Sequence, residues 1–595
     1  MAVVEPGFKT SWVAGQVVFR TKGAVCQTAA DLLRSELFAR LIRDFIASLR
    51  RRDSPLLGVL QAVGSEGTLI GLLDDLARAP LSQVAGRWAG AESLLERCEL
   101  LLEFVEALYN YWRELDRFLI CLSESSEGAL GHDARPYRTF NNTVEHLNHL
   151  ARATYRDICE NVCGDHPRVY RQVPAGFQVG LIAVPSSTPL FERAPYGALA
   201  SVPLIRQVLM DPPLIIDPPT NYRTGQFQRV EENPLQNVEL DPGEWLCYPA
   251  KVGPLVIFIY FHQRFIGLGC SLANLFELAS DEEVRRSPDA VYAYGVRPES
   301  LARFGNFPTV FHDDEANGCL VAAVPGQDRF GYFGYLKKMV LTLHNVAMMK
   351  RGRLPFHGAM VRVESRNGIA GTVVLIGDTA AGKSESLEAF RVIGDEFIRE
   401  MRIVADDMGS FDVDSSGRLR GYGTEIGAFV RLDDLQPGFA FGELDRTIIM
   451  SPQKVNARAV LPVTTMSTVL HGYPVDYLLY ANNYEEVDAD HPVIERFENV
   501  DEALHVFREG AAMAKGTTSA TGLTHSYFAN IFGPPQYRDL HEKLARRYFE
   551  AAFAAGVFVG QLRTRLGIPG CETRGPAAAA RALLDLIAWG QNSQQ

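Results

Sequence analysis

The stretch GDTAAGKSES, Gly377 to Ser386, follows the apolar run TVVLI and fits the pattern Gly377-x-x-x-x-Gly382-Lys383-Ser384. Each residue type in that pattern has a task in holding a nucleotide. Glycines let backbone N–H groups wrap the β-phosphate, the lysine reaches the outer phosphates, and the hydroxyl ligates Mg²⁺. SESLEAF reads as a helix whose N-terminal dipole points at the phosphates. The nucleotide-binding set is Gly377, Asp378, Thr379, Ala380, Ala381, Gly382, Lys383 and Ser384. The bland alternative is a strand-to-helix turn with a surface lysine. Beyond Lys383, RIVADDMGSF reads as a short strand ending in Asp406, twenty-three residues on, and Asp407. Adjacent carboxylates at a strand end suit the divalent metal that neutralises a triphosphate. Alone, the pair fits a solvated turn as well as a metal site.

Those residues need a scaffold, and the chain divides by texture into three regions. From about Ala29 to Cys163 apolar residues recur at three and four, in LLRSELFARLIRDFIASL, SLLERCELLLEFVEALYNYWRELDRFLICL and TVEHLNHLARATYRDICENV. This predicts a helical N-terminal region, 1–165. In 166–325 short apolar runs bounded by Pro, Gly and Asp, such as VGLIAVP and PLVIFIYF, predict an α/β segment that would form a substrate-side domain. In 326–595 short strands alternate with turns and helices, and two helices close the chain. The fold class expected is α/β, with a P-loop nucleotide-binding domain at the C-terminal end.

A net charge of −12 and a pI of about 5.6 give nothing that would draw the chain to nucleic acid or an anionic membrane. No long apolar run and no signal-like N-terminus is evident, so a cytoplasmic location is expected. Nine dispersed cysteines do not suggest a disulfide framework. Cys159 and Cys163 with His166, and His146 with His149, lack further ligands at metal-site spacing.

Taken in order, FHGAMV (356–361), GDTAAGKSES and VADD resemble the phosphoenolpyruvate carboxykinase and HPr kinase/phosphorylase superfamily. There a histidine-bearing strand, a phosphate loop and an Asp-Asp strand form one site. The loop itself is closer to the HPr kinase branch, because the carboxykinases carry GxSGTGKT. The flanks are closer to the ATP-type carboxykinases. FGYFGYLKKMV (330–340) places Tyr332 on that family's substrate-site tyrosine and Lys338 on its metal-binding lysine, with His357 on its metal-binding histidine. NARAVLP (456–462) places Arg458 on the arginine that bridges substrate and γ-phosphate, and 510–535 resembles the segment near the adenine pocket. Two departures stand out. No segment supplies the oxaloacetate-binding arginine, for which Arg223 in NYRTGQF is the weak substitute, and Thr379-Ala380-Ala381 replaces Ser-Gly-Thr. Read singly, Lys337 and Lys338 are a solvated basic pair, Arg458 a surface strand residue, and Tyr332 and His357 core residues. Only their joint order says otherwise.

The resemblance implies a reaction: nucleotide-dependent conversion of oxaloacetate, a small dicarboxylate, to phosphoenolpyruvate and CO₂. ATP is the expected nucleotide, with GTP not excluded. Mg²⁺ would sit on Ser384 and the nucleotide with Asp406 in its outer shell, and Mn²⁺ on Lys338, His357 and Asp407. Lysine ligates a metal only as the neutral amine, so Lys338 would need a lowered pKa. Lys383 and Arg458 would supply charge to the transferring phosphoryl group. If the acceptor is instead a hydroxyl on a small molecule or protein, Asp406 or Asp407 becomes the base. A third alternative is a nucleotide-responsive binding protein whose N-terminal helices hold a protein partner.

Overall fold

A computed structural model of the chain describes residues 8–13, 15–21, 26–122, 136–164, 172–378, 381–393, 398–432, 444–514 and 522–590. It is a mixed α/β protein with large mixed sheets. Among the described residues no helix is long and apolar enough to cross a membrane. The chain forms two compact units, one of Met1–Ser186 with Pro203–Asp211 and the other of Ser187–Val202 with Pro212–Gln595.

The N-terminal unit packs helices around a core that includes Ile42, Phe45, Leu72, Leu101 and Phe104, all buried. Its longest helices are Glu36–Arg51, Cys98–Glu114 and Pro136–Cys163. Ser35 starts the first of these by accepting a hydrogen bond from the Phe38 N–H at 3.1 Å. The helical reading of 1–165 fails at the strands Phe8–Val13 and Gln16–Thr21 and, inside 29–163, at one more place. DRFLICL, Asp116–Leu122, is a strand parallel to both Gln16–Thr21 and Val179–Val184. Phe118, Leu119 and Ile120 are buried in succession, and a strand covered on both faces has no alternation to separate it from a helix. Arg117 marks the switch. Its buried guanidinium donates to the Trp112, Arg113 and Leu115 carbonyls at the helix end and to the Gly176 carbonyl, satisfying acceptors the ended helix leaves open.

In the larger unit one sheet runs Trp245–Val252, Leu255–His262, Ala290–Val296, Cys319–Pro325 and Val310–Asp314. The sheet that positions the candidate site is centred on the twelve-residue strand Leu354–Ser365. One edge of it pairs with Ala370–Ile376, and that strand continues in parallel to Tyr477–Asn482 and Phe558–Arg563. Its other edge is shared by two strands in succession, Ile398–Ala405 and Met408–Val413. A smaller sheet orders Gly427–Arg431, Arg458–Pro462, Ile448–Met450 and Leu214–Ile216. The helix Phe333–Lys350 is buried nearly all round, as its lack of a polar face requires.

Candidate functional site

The strand–loop–helix reading of 370–393 agrees with the structure: Ala370–Ile376 is a strand and Lys383–Ile393 a helix. Val373 and Leu375 of the strand and Phe390 of the helix share a core with Leu583 and Ile587 of the helix Arg574–Gly590. Gly382 has φ +88°, and a side chain there would lie 2.6 Å from Thr564 Oγ1, so the glycine meets both a conformational and a steric demand. Thr564 Oγ1 in turn donates to the Ala381 carbonyl at 2.8 Å. Lys383 is buried, and its ammonium donates to the Gly377 carbonyl at 2.5 Å and the Asp378 carbonyl at 2.9 Å. Burial lowers its pKa, against the pull of Asp407, Asp378, Glu385 and Asp406. Thr379, Ala380 and the side chain of Ser384 lie outside the described residues.

Strand register brings His357 and the two aspartates together. His357 pairs with Met408 and Met360 with Ala405, so Asp406 and Asp407 occupy the step between two strands on one edge. The Gly358 N–H donates to the Asp407 carbonyl and the Gly377 N–H to the His357 carbonyl, tying the first glycine of the 377–384 segment to the same strand. Asp407 Oδ1 lies 3.0 Å from His357 Nε2, and Asp407 Oδ2 accepts from Lys337 Nζ at 2.9 Å. The other ring nitrogen of His357 faces the Ala529 carbonyl. That carbonyl is aimed by three successive non-glycine residues with positive φ, Phe528, Ala529 and Asn530. Each costs about 1–2 kcal/mol, strain of the kind that collects at functional sites. Both His357 nitrogens thus face acceptors. With one N–H given to Ala529, Nε2 needs either a second proton or a cation shared with Asp407.

The reading of Lys337 and Lys338 as a solvated pair is overturned. Lys337 is 1% exposed, because the helix that carries it is buried all round, and its Nζ also lies 3.3 Å from Glu425 Oε1. Burial would lower its pKa, but Asp407, Glu425 and Asp406 together hold it above the ordinary lysine value. Lys338 Nζ sits 4.6 Å from the centre of the Phe532 ring. Its pKa is lowered to about 8 by burial, aided by Arg223 and Lys337 and opposed by Asp407 and Asp378. The aspartates diverge. Burial raises Asp406 to about 6, with Asp407 adding and Lys337 and Lys383 opposing. Burial also pushes Asp407 upward, but Lys337, His357 and Lys338 outweigh it and hold it far below the carboxylate range.

Two aromatic rings organise the remaining groups. Phe532 has Lys338 over it, Arg223 at 5.7 Å, and the His357 ring at 5.8 Å. Phe429 has Arg458 at 5.3 Å, Lys337 at 6.0 Å and Tyr332 at 5.9 Å. Tyr332, Lys338, His357, Asp406, Asp407, Lys383 and Arg458 therefore belong to one neighbourhood, as their order in the sequence suggested. Arg458 Nε is buried without a hydrogen-bond partner.

Sequence reasoning missed Glu425 and misjudged Lys337. Glu425 is buried, and its pKa is raised to about 8 by burial and by Asp407 and Asp406, against Lys337. A lone glutamate in GYGTEIG gives no signal of this. Among the described residues no group of three or more His, Cys, Asp and Glu side chains is arranged to hold a metal ion. His357 Nε2, an Asp407 oxygen and the readily neutralised Lys338 amine nevertheless have the donor chemistry of a divalent transition-metal site. No protein-family model matches the chain, and no curated protein matches it in sequence.

Proposed function

We propose that this chain is a nucleotide-dependent phosphoryl-transfer enzyme of the phosphoenolpyruvate carboxykinase type, with a small dicarboxylate, oxaloacetate, as substrate. The observation that carries this reading is Arg223, which shares the Phe532 ring with Lys338 beside His357 and Asp407. An arginine from the region before 330 is what a dicarboxylate substrate demands of this site and a hydroxyl substrate does not. Burial lowers the Arg223 pKa, yet an arginine stays charged under any such shift; Nη1 donates to the Gly225 carbonyl at 2.6 Å, and the rest of the guanidinium is left to meet a carboxylate.

On this reading oxaloacetate and ATP give phosphoenolpyruvate, CO₂ and ADP, the enolate oxygen left by decarboxylation attacking the γ-phosphorus. Lys383 exchanges its loop carbonyls for phosphate oxygens. Arg458, with Nε unengaged, takes the bridging position between acceptor and γ-phosphate. Lys337 keeps Asp407 ionised, and the Ala529 carbonyl keeps His357 Nε2 turned toward it. A divalent cation held by His357, Asp407 and neutral Lys338, with Asp406 nearby, would supply positive charge against the developing oxyanion.

One observation favours a second reading. Asp406, raised to about 6, has the basicity a general base needs near neutral pH, as a kinase of a hydroxyl acceptor would use. A coupled assay with Mn²⁺, Mg²⁺, ATP and oxaloacetate separates the two. Phosphoenolpyruvate should form, vanish with Lys383→Ala, and require about tenfold or more oxaloacetate with Arg223→Met while nucleotide affinity holds. ATP binding without phosphoenolpyruvate would transfer the assignment to the hydroxyl kinase.

A further inference from the structure

The N-terminal unit holds a cavity of about 850 Å³, far from what close packing leaves by accident. It opens where the helices Ala29–Leu33, Glu36–Arg51, Cys98–Glu114 and Pro136–Cys163 meet Phe19 and Phe177. Leu37, Leu41, Leu108, Leu147, Ile158 and Phe177 make its wall apolar. Protein interiors rarely keep voids larger than a water, whereas small-molecule sites have this size and this lining.

The polar groups on the wall are mostly engaged within the protein. The Tyr155 hydroxyl donates to Glu106, Trp112 Nε1 donates to the Ala175 carbonyl, and Ser35 caps its helix. Thr154 differs. It is 4% exposed, lines the cavity, and its Oγ1 has no hydrogen-bond partner. A helical threonine ordinarily returns its hydroxyl to the carbonyl one turn back, so a buried hydroxyl left open to an apolar chamber is a recognition group awaiting a partner. The wall also sets the charge of that partner. Among the described lining residues the cation is Arg34, which Asp74 holds at 2.6 Å, while Asp31 and Glu36 add negative charge. Arg113 and Arg117 stack on the Tyr109 and Trp112 rings without lining the cavity, so among the described lining residues no cation is left to receive an anionic headgroup.

We propose that this cavity is a binding site for a neutral, largely apolar, drug-sized molecule anchored by one hydrogen bond to Thr154. The site is independent of the phosphoryl-transfer reading, because every residue named lies in the N-terminal unit.

The test is fluorescence titration of the full chain with N-phenyl-1-naphthylamine, a neutral apolar probe with a single N–H. Saturable binding of one equivalent is expected. Ala151→Phe, which fills the chamber from its wall, should weaken it at least tenfold. Thr154→Val, isosteric and lacking the hydroxyl, should weaken it about 3- to 10-fold and leave pyrene, which has no polar group, unaffected. The anion 8-anilino-1-naphthalenesulfonate should bind more weakly than the neutral probe. Absence of saturable binding, tighter binding of the anion, or unchanged affinity in a folded Ala151→Phe protein would overturn the proposal. If Ala151→Phe does not fold, equal affinities of wild type and Thr154→Val for N-phenyl-1-naphthylamine would do so alone.

Discussion

The two units withdraw opposite things from water. The larger one buries charge: Lys337 lies 2.9 Å from Asp407 and 3.3 Å from the Glu425 carboxyl, with Asp406 close enough to act on it. The N-terminal one has an apolar cavity of about 850 Å³, with the unpartnered Thr154 hydroxyl on its wall. Neither arrangement favours stability in itself. Buried ions cost several kcal/mol of desolvation that pairing only partly returns, and an unfilled chamber forgoes the dispersion contacts a packed core would make. Both departures concentrate on residues a ligand would complete. On the readings proposed above, that ligand is an anion with its cation in the larger unit and a neutral apolar body in the N-terminal unit.

The sharpest way to break that contrast is to strip the charge cluster of its lysine. Lys337→Met should destabilise the larger unit by roughly 3–5 kcal/mol in urea unfolding, because Asp407 loses its counter-ion. Adding Asp407→Asn, which removes the orphaned charge, should recover part of that loss. A full effect in the single variant with no recovery in the double would mean that Lys337 acts by packing.

Acid should then separate the units. His344 and His541 are buried and neutral in the larger unit, each with its pKa lowered to about 4, chiefly by burial. Unfolded chains take up these protons near pH 6.5 and the folded unit only near pH 4, so folding stability falls as pH drops across that window. The loss is roughly 3 kcal/mol per histidine. Glu425 works the other way: its folded pKa of about 8 exceeds the usual glutamate value, so its share of stability is present at low pH and lost as pH rises toward 8. Calorimetry from pH 6.5 to 4 should show the larger unit's transition moving down, less so with His344→Gln. A transition that moves in the same way in wild type and His344→Gln would show that His344 reaches water in the folded state.

The smallest effect expected lies in the N-terminal unit. Thr154→Val should raise its stability by about 1 kcal/mol, since it removes a buried hydroxyl that nothing satisfies. A loss of stability instead would mean that the hydroxyl already has a partner.

The sequence made legible what is local or serially ordered. The strand, glycine turn and helix around Lys383 follow from periodicity and turn chemistry over some twenty residues, and the Asp-Asp step ends its strand where expected. What stayed hidden depends on long-range packing. Nothing in FGYLKKMV says that Lys337 faces Glu425, nearly ninety residues away, or that Phe429 and Phe532 collect the cations into two groups. Asp116–Leu122 was obscured for a related reason, since burial on both faces erases the alternation by which a strand is read.

Two strands laid in succession along one edge of Leu354–Ser365 make the spacing of Asp406 and Asp407 a matter of count as well as identity. Side chains alternate faces with a period of two, so one residue gained or lost between Ile398 and Val413 would turn Asp407 away from His357 and Lys337. Single replacements can be absorbed along this stretch far more readily than changes in length. Among descendants of this sequence, insertions and deletions should therefore collect in the loops and spare this edge, even where the chemistry of the site has drifted.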